Sequence, residues 1–311
     1  MKLFFAILAC FSLGLLAKEQ LAVQPQTAPK RIAISFDDAP TPSSGYFSGE
    51  ERTSLLLESL AKAGIQQTAF FAVSQHITPK GHQRLLAYSK AGHIIANHTH
   101  SHPDLNSTSL ADFIAGIEQA DSALQQYPTF RRWFRFPYLR EGDTLEKRDG
   151  VRQYLAENHY INAYITLNNY DWYLNQLFQQ AIQAGEAVEL AAMRNFYVDT
   201  LMASIHYYHE LALQYLNRSP QHVLLLHEND LAALFIGDLI AELRLQGWEI
   251  IPMEQAYQDP LLSYQSSRLF TFNPGRIGEI AADQGQRKGL WHSTLNEAYL
   301  KARFSSEVLQ R

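Results

Sequence analysis

Five short clusters in this 311-residue chain carry side chains that can do chemistry: Asp37-Asp38, His98-Thr99-His100-Ser101-His102, Arg135-Phe136-Pro137-Tyr138, Asp171-Trp172 and His227-Glu228-Asn229. A spacing of four lets His98 and His102 face one point if their segment turns helically. Two neutral imidazoles and one carboxylate make a three-ligand site with open positions, suited to Zn2+ and water. Water on such an ion loses a proton near neutral pH, and a carbonyl oxygen can be polarised on the same ion. A second carboxylate can take the water's proton, and a histidine across the site can protonate a leaving group. That set suffices to hydrolyse an amide or an ester. Two histidines and a carboxylate can also hold Fe(II) for oxygen chemistry, but the extra aspartate, Arg135 and the distant His227 favour hydrolysis.

Taken singly, each cluster has a structural explanation. Paired aspartates after a strand often cap the next helix. A lone buried histidine is usually just hydrogen-bonded, Arg135 is by default an ion-pair partner, and Asp171-Trp172 reads as a surface turn. Their common position separates them from that background. Apolar runs and amphipathic stretches alternate along the chain, with strands at Ile32–Phe36, Thr68–Val73, His93–Ala96, Phe130–Phe134, Tyr160–Thr166, Val223–Leu226 and Trp248–Ile251. Helices are expected at Arg52–Ala63, Lys80–Lys90, Ser109–Gln126, Leu145–Glu157 and Leu231–Leu245, and a long, broken helical stretch at Leu174–Leu216. Gly64, Gly92 and Gly247 supply stop signals. This βα rhythm predicts an α/β fold, a distorted (β/α) barrel of about seven parallel strands rather than an open doubly wound sheet. No dinucleotide-type glycine fingerprint follows the first strand. In such barrels function gathers where the strands end, and all five clusters fall at or soon after strand ends.

Formal charge is 26 − 31 = −5 with no basic block, which argues against nucleic-acid binding. With 46% hydrophobic and 18% charged residues the chain can bury a large core. Met1-Lys2 followed by the apolar run Leu3–Leu16 reads as a signal peptide over residues 1–17, ending at Ala17. The run is too short for a membrane span, so no stable span is expected after cleavage, and the protein is expected to be secreted or periplasmic. An uncleaved anchor, or lipidation at Cys10, stays open. Cys10 is the only cysteine, so a chain cut after Ala17 has no thiol and no disulfide. Residues 18–30 read as a linker, 31–258 as the barrel with a helical insertion near 174–216, and 259–311 as a C-terminal extension with no assignable chemistry. The insertion, with Phe196-Tyr197 and His206-Tyr207-Tyr208-His209, reads as a helical cap or one rim of a groove. His206 and His209 could hold a second metal, although an amphipathic helix with polar histidines explains them better.

From Arg31 to about Tyr257 the sequence resembles the polysaccharide deacetylases, the nodulation-protein-B homology type of carbohydrate esterase family 4, with five motifs in the family's order. The resemblance implies that Asp37 is the general base and that Asp38, His98 and His102 are the metal ligands, the metal being Zn2+ or another divalent ion. It implies that Arg135 orients the base, that the backbone N–H of Tyr138 helps hold the oxyanion, and that Asp171-Trp172 forms a groove wall whose aspartate contacts the arginine or supports the acid. His227 becomes the general acid. His100 stands where the family often has an aromatic residue and is not counted as a ligand. Ala39 and Leu139 replace glycines of the pattern. The implied activity is removal of N-acetyl groups from an amino-sugar polymer or oligosaccharide. The alternatives are O-deacetylation or small-amide hydrolysis at the same site, or a carbohydrate-binding protein without catalysis. The implied partner is an acetylated carbohydrate.

Overall fold

In the computed structural model, which describes residues 29–310, the chain alternates strand and helix from Lys30 onward. The signal peptide expected at 1–17 and most of the linker at 18–30 lie outside the described residues. The first strand, β1 (Lys30–Ala39), is buried from Ile32 to Asp37, as a strand covered on both faces must be. Then come α1 (Gly49–Lys62), β2 (Ala69–Ala72), α2 (Pro79–Lys90), β3 (Ile94–Asn97), α3 (Leu110–Leu124), β4 (Phe130–Phe134), α4 (Leu145–Glu157) and β5 (Ile161–Asn162). The second half contains α5 (Asp171–Gln183), α6 (Leu190–Leu216), β6 (Gln221–His227), α7 (Asp230–Leu245), β7 (Trp248–Ile250) and α8 (Met253–Ala256). It ends in α9 (Arg276–Asp283) and α10 (Glu297–Glu307). Side-chain caps set several helix starts: Ser48 and Glu51 form a capping box on α1, and Thr78, Ser109, Thr144 and Asn229 cap α2, α3, α4 and α7.

The strands form one parallel sheet in the order β5-β4-β3-β2-β1-β6, and β7 pairs with the first residues of β1. Arg31 pairs with Gln221 on one edge and Glu249 on the other, so β7 and β2 share the edge of β1 opposite β6. The strand expected at Tyr160–Thr166 is shorter than its apolar pattern suggests. Only Ile161 and Asn162 pair with β4, and Leu167 then bridges to Leu224 of β6. One segment therefore leaves one edge of the sheet and joins the other, which closes the barrel. Between those contacts its carbonyls are satisfied outside any ladder: Arg135 Nε donates to Ala163, the Tyr257 hydroxyl to Tyr164 and the Arg276 backbone N–H to Ile165.

The expected helical insertion divides into α5 and α6. It is not a rim. Helix α6 buries Met193, Phe196, Tyr197, Leu201, Ile205, Tyr208 and Ala212 and packs against α7 and α9, because a helix that is apolar on several sides must be enclosed. The C-terminal extension covers it and is tied to the barrel. Arg148 and Arg152 donate to the carbonyls of Ser267 and Ser266, and Asn106 donates to that of Thr271. Among the described residues no helix is long and apolar enough to cross a membrane.

The turn into α9 needs Gly275. Its φ is +81°, and a Cβ there would lie 2.7 Å from Ile165 Cδ1 in the closing segment. Gly275→Ala should therefore cost about 1–3 kcal/mol of stability, combining left-handed strain with overpacking. Urea unfolding checks this, and a variant as stable as the parent would contradict the packing described.

Candidate active site

Because every strand is parallel, the ends of β1, β3, β4 and β6 open on one rim, and register places Asp37 beside His227 and Asn97 beside Phe134. In a regular strand, Asp37 and Asp38 would point to opposite faces. Asp38 instead adopts φ +69°, which turns its carboxylate to the side where the histidines lie. The helical turn that would align His98 and His102 does not form. Asn97 Oδ1 accepts from the Thr99 N–H at 2.8 Å, and Thr99 Oγ1 accepts from the His102 N–H at 3.0 Å. Thr99 and His102 take left-handed φ values of +69° and +55°, and this bent loop brings the two imidazole centroids within 4.8 Å. His100 points away and pairs with Ser74 Oγ.

Asp38, His98 and His102 each present a donor atom, all within 4.8 Å of one another. Asp38 Oδ1 lies 3.6 Å from His98 Nε2 and 3.5 Å from His102 Nε2. That oxygen is buried and has no hydrogen-bond partner, the condition a bound cation would relieve. The ring N–H of His98 Nδ1 donates to the Arg135 carbonyl at 2.8 Å, which leaves Nε2 with the lone pair. Burial, with His102 beside it, pushes His98 down to about 3, and burial also lowers His102, so both are neutral ligands near pH 7. Burial opposes the charge on Asp38, but His227, His102 and His98 outweigh it and hold its carboxyl below the usual range. The residues present thus fit a divalent ion with nitrogen and oxygen ligands.

Asp37 accepts from Arg135 Nη1 at 2.8 Å. Burial raises its pKa to about 6, with Arg135 and then His227 pulling the other way. Arg135 is itself held by Ser35 Oγ, the Ala163 carbonyl and the Tyr257 hydroxyl. Asp171, fully buried at the start of α5, bonds His227 Nδ1 at 2.6 Å and accepts from the His227 backbone N–H at 2.8 Å. Asn229 Nδ2 bonds the same carboxylate at 3.0 Å. Asp171 thus supports the histidine and makes no contact with the arginine. Burial disfavours imidazolium at His227, but Asp171, then Asp38 and Asp37, overcome it and raise the pKa to about 9.

Asp37, Asp38, His98, His102 and His227 line an open pocket of about 510 Å³ together with Tyr138 and Trp172, while Arg135 and Asp171 are buried behind them. Tyr138 and Leu139 both have left-handed φ, +56° and +57°, so Leu139 takes up the strain that a glycine would avoid. Four of the eight described non-glycine residues with positive φ (Asp38, His102, Tyr138 and Leu139) line this pocket, and a fifth, Thr99, is buried in the loop between its two histidines. Further wall residues escaped the sequence reading: Asn168, Asn169 and Tyr170 after the closing segment, and Phe272, Asn273 and Glu297 from the extension. The asparagines follow a strand end, and that position was a usable signal. For the three extension residues no local pattern existed, and the extension, expected to carry no assignable chemistry, supplies part of the pocket wall through them. His206 and His209 do not converge: His206 pairs with Gln246, and His209 Nδ1 faces His222 Nε2 at 3.1 Å.

Residues 24–157 match the family model described as Polysaccharide deacetylase. That segment is similar to the polysaccharide deacetylases. It holds Asp37, Asp38, His98, His102, Arg135 and Tyr138, whereas Asp171 and His227 lie beyond it. The chain is 28% identical over 120 residues to a chitin deacetylase of Colletotrichum lindemuthianum, an alignment covering 36% of this chain and 44% of that relative. The chain thus spans less than half the length of the curated relative it matches. Among solved structures, the Bc1960 peptidoglycan N-acetylglucosamine deacetylase has a TM-score of 0.51 at 18% identity, covering 73% of this chain and 88% of that one. A mutant of BA3943, a CE4 family pseudoenzyme with restored enzymatic activity, has a TM-score of 0.50 at 17% identity, covering 75% of this chain and 68% of that one. These likenesses establish the deacetylase fold, in agreement with the parallel barrel described above.

Asp171→Asn removes the charge that opposes burial at His227. The imidazole pKa should then fall from about 9 back towards or below the ordinary imidazole range. NMR titration of the histidine rings in metal-stripped protein reads this, and an unchanged value would show that Asp171 does not set it.

Proposed function

We propose that this chain is an exported, metal-dependent hydrolase that removes N-acetyl groups from an amino-sugar polymer or oligosaccharide. One observation carries the proposal: Asp38, His98 and His102 share a pocket with a buried aspartate and a histidine whose pKa values are both raised, to about 6 and about 9, which leaves the aspartate ionised and the histidine protonated at neutral pH. A carboxylate that is ionised beside an imidazole that is kept protonated is the pattern of a base and an acid. Export rests on the sequence of residues 1–17.

Asp38, His98 and His102 would hold a divalent ion, proposed to be Zn2+, which supplies polarisation of the acetyl carbonyl and of water. Asp37, ionised above about pH 6 and held by Arg135, takes the proton of the attacking water. The Tyr138 backbone N–H is proposed to donate to the developing oxyanion, an interaction worth roughly 3–4 kcal/mol where such donors are preorganised. His227, kept protonated and oriented by Asp171, donates to the departing amine nitrogen. Trp172 forms one wall against the sugar ring.

Acetate release from a panel of N-acetylated saccharides, O-acetylated saccharides and small acetamides tests the reading. Release should stop on chelation and return with Zn2+. Release from O-acetyl esters or small amides alone would reassign the substrate. Asp37→Asn should lower turnover by about 10²–10⁴-fold while metal analysis still finds the ion bound. Retained turnover in that variant would remove Asp37 from its role.

The pH profile of kcat/KM should be a bell. Asp37 must be ionised, so activity falls below about pH 6, and His227 must be protonated, so activity falls above about pH 9. A bound cation favours the carboxylate and disfavours the imidazolium, so it moves both limbs down. A flat profile from pH 5 to 9 would contradict the pairing.

A further inference from the structure

The pocket is continued outward by residues that lie beyond the segment matched to the family. Phe272 lines the pocket and lies with its ring centroid 5.8 Å from that of Trp291, and each of these two side chains is 38% exposed. Neither ring is carried on loose chain. The Thr271 carbonyl accepts from Asn106 Nδ2, Asn273 is buried and bonded to Glu279, and Leu290, next to Trp291, is buried. The Tyr207 hydroxyl holds the Gly289 carbonyl one residue further back. Large apolar rings fixed at the mouth of a polar pocket mark a ligand-binding groove rather than scattered surface.

The charges at this mouth point in one direction. Of the charged pocket residues, Asp37, Asp38 and Glu297 are acidic, and the basic Arg140 and His227 are already paired with Asp104 and Asp171. Glu297, at the first position of α10, is exposed, and its charge reaches the phenols of Tyr170 and Tyr173. A carboxylate in that place accepts hydrogen bonds from hydroxyl or ammonium groups and repels other carboxylates.

We infer that the C-terminal extension builds a second saccharide subsite. Phe272 and Trp291 form the platform for the apolar face of the neighbouring pyranose, and Glu297 accepts from its hydroxyl or amino group. The inference rests on the proposed deacetylase reading and deepens it: the substrate is a chain of neutral or amino-bearing sugars rather than a single unit or a carboxylate-bearing saccharide. Removing one acetyl group leaves an amine, so a partly deacetylated chain places an ammonium group within reach of this carboxylate.

The test is kcat/KM for acetate release from N-acetylglucosamine and its oligomers of two to five units, with the Zn2+-loaded full chain. The parent protein should gain efficiency with length. In Trp291→Ala and in Phe272→Ala the ratio of pentamer to monomer efficiency should fall about tenfold, since tenfold corresponds to 1.4 kcal/mol. Glu297→Gln should lose preference for partly deacetylated over fully acetylated oligomers and should accept carboxylate-bearing saccharides better. All three side chains are exposed, and the circular dichroism and unfolding midpoint of each variant check its fold. Length dependence unchanged in both aromatic variants, with acetate still released, would overturn the subsite and leave the deacetylase reading standing. Acetate release from no saccharide by the parent would overturn both.

Discussion

A single buried guanidinium holds the site together. Arg135 is 1% exposed, and a charge so enclosed is tolerable only when each of its donors finds a partner. Its partners come from across the fold: Ser35 and Asp37 on β1, the Ala163 carbonyl in the closing segment and Tyr257 beyond α8, while the Phe71 ring lies under its plane at 4.0 Å. Its own carbonyl accepts from His98 Nδ1, and its N–H donates to the Asn97 carbonyl. One residue thereby fixes the carboxylate proposed as base, selects the nitrogen that a ligand histidine offers, and anchors the segment that closes the barrel. Breaking a buried pair of this kind costs roughly 3–5 kcal/mol, so chemistry and fold stand on the same contacts.

Around that anchor the backbone is strained where side chains must converge. Asp38, Thr99, His102, Tyr138 and Leu139 all occupy left-handed conformations that strands and helices avoid. Short side-chain bonds from Asn97 and Thr99 hold the histidine loop, so the strain is kept in place by groups local to it. The electrostatics have a similar division. Burial acts on Asp37 and His227 alike and disfavours charge on each, but Asp171 reverses its effect on the histidine, whereas Arg135 only moderates it on the aspartate. Both proton affinities are raised, to about 6 and about 9, so that at neutral pH the aspartate is ionised and the histidine protonated.

The C-terminal segment takes over the part that the helical insertion was expected to play. Helix α6 is apolar on too many sides to stand at a rim, and it becomes the layer between α7 and α9. The extension, packed over that layer, reaches back to the pocket with Phe272, Asn273 and Glu297. The family match over residues 24–157 does not include this wall.

Much was legible before any coordinates. The apolar runs and capping residues marked the strands and helices, because burial on both faces of a parallel sheet demands continuous aliphatics such as Ile32–Phe36 and Val223–Leu226. Residue type and order along the chain were enough to single out Asp37, Asp38, His98, His102, Arg135, Tyr138, Asp171, Trp172 and His227, since groups able to do chemistry recur there at or soon after strand ends. Three matters were left to the tertiary structure. Whether Asp171 serves the arginine or the histidine depends on where α5 begins relative to β6. The closing segment splits its pairing between β4 and β6 because Arg135, Tyr257 and Arg276, distant in sequence, satisfy its carbonyls. The extension became a wall of the pocket through packing on α6 and ties to α4, and contacts made across more than a hundred residues leave no period or spacing in the chain that makes them.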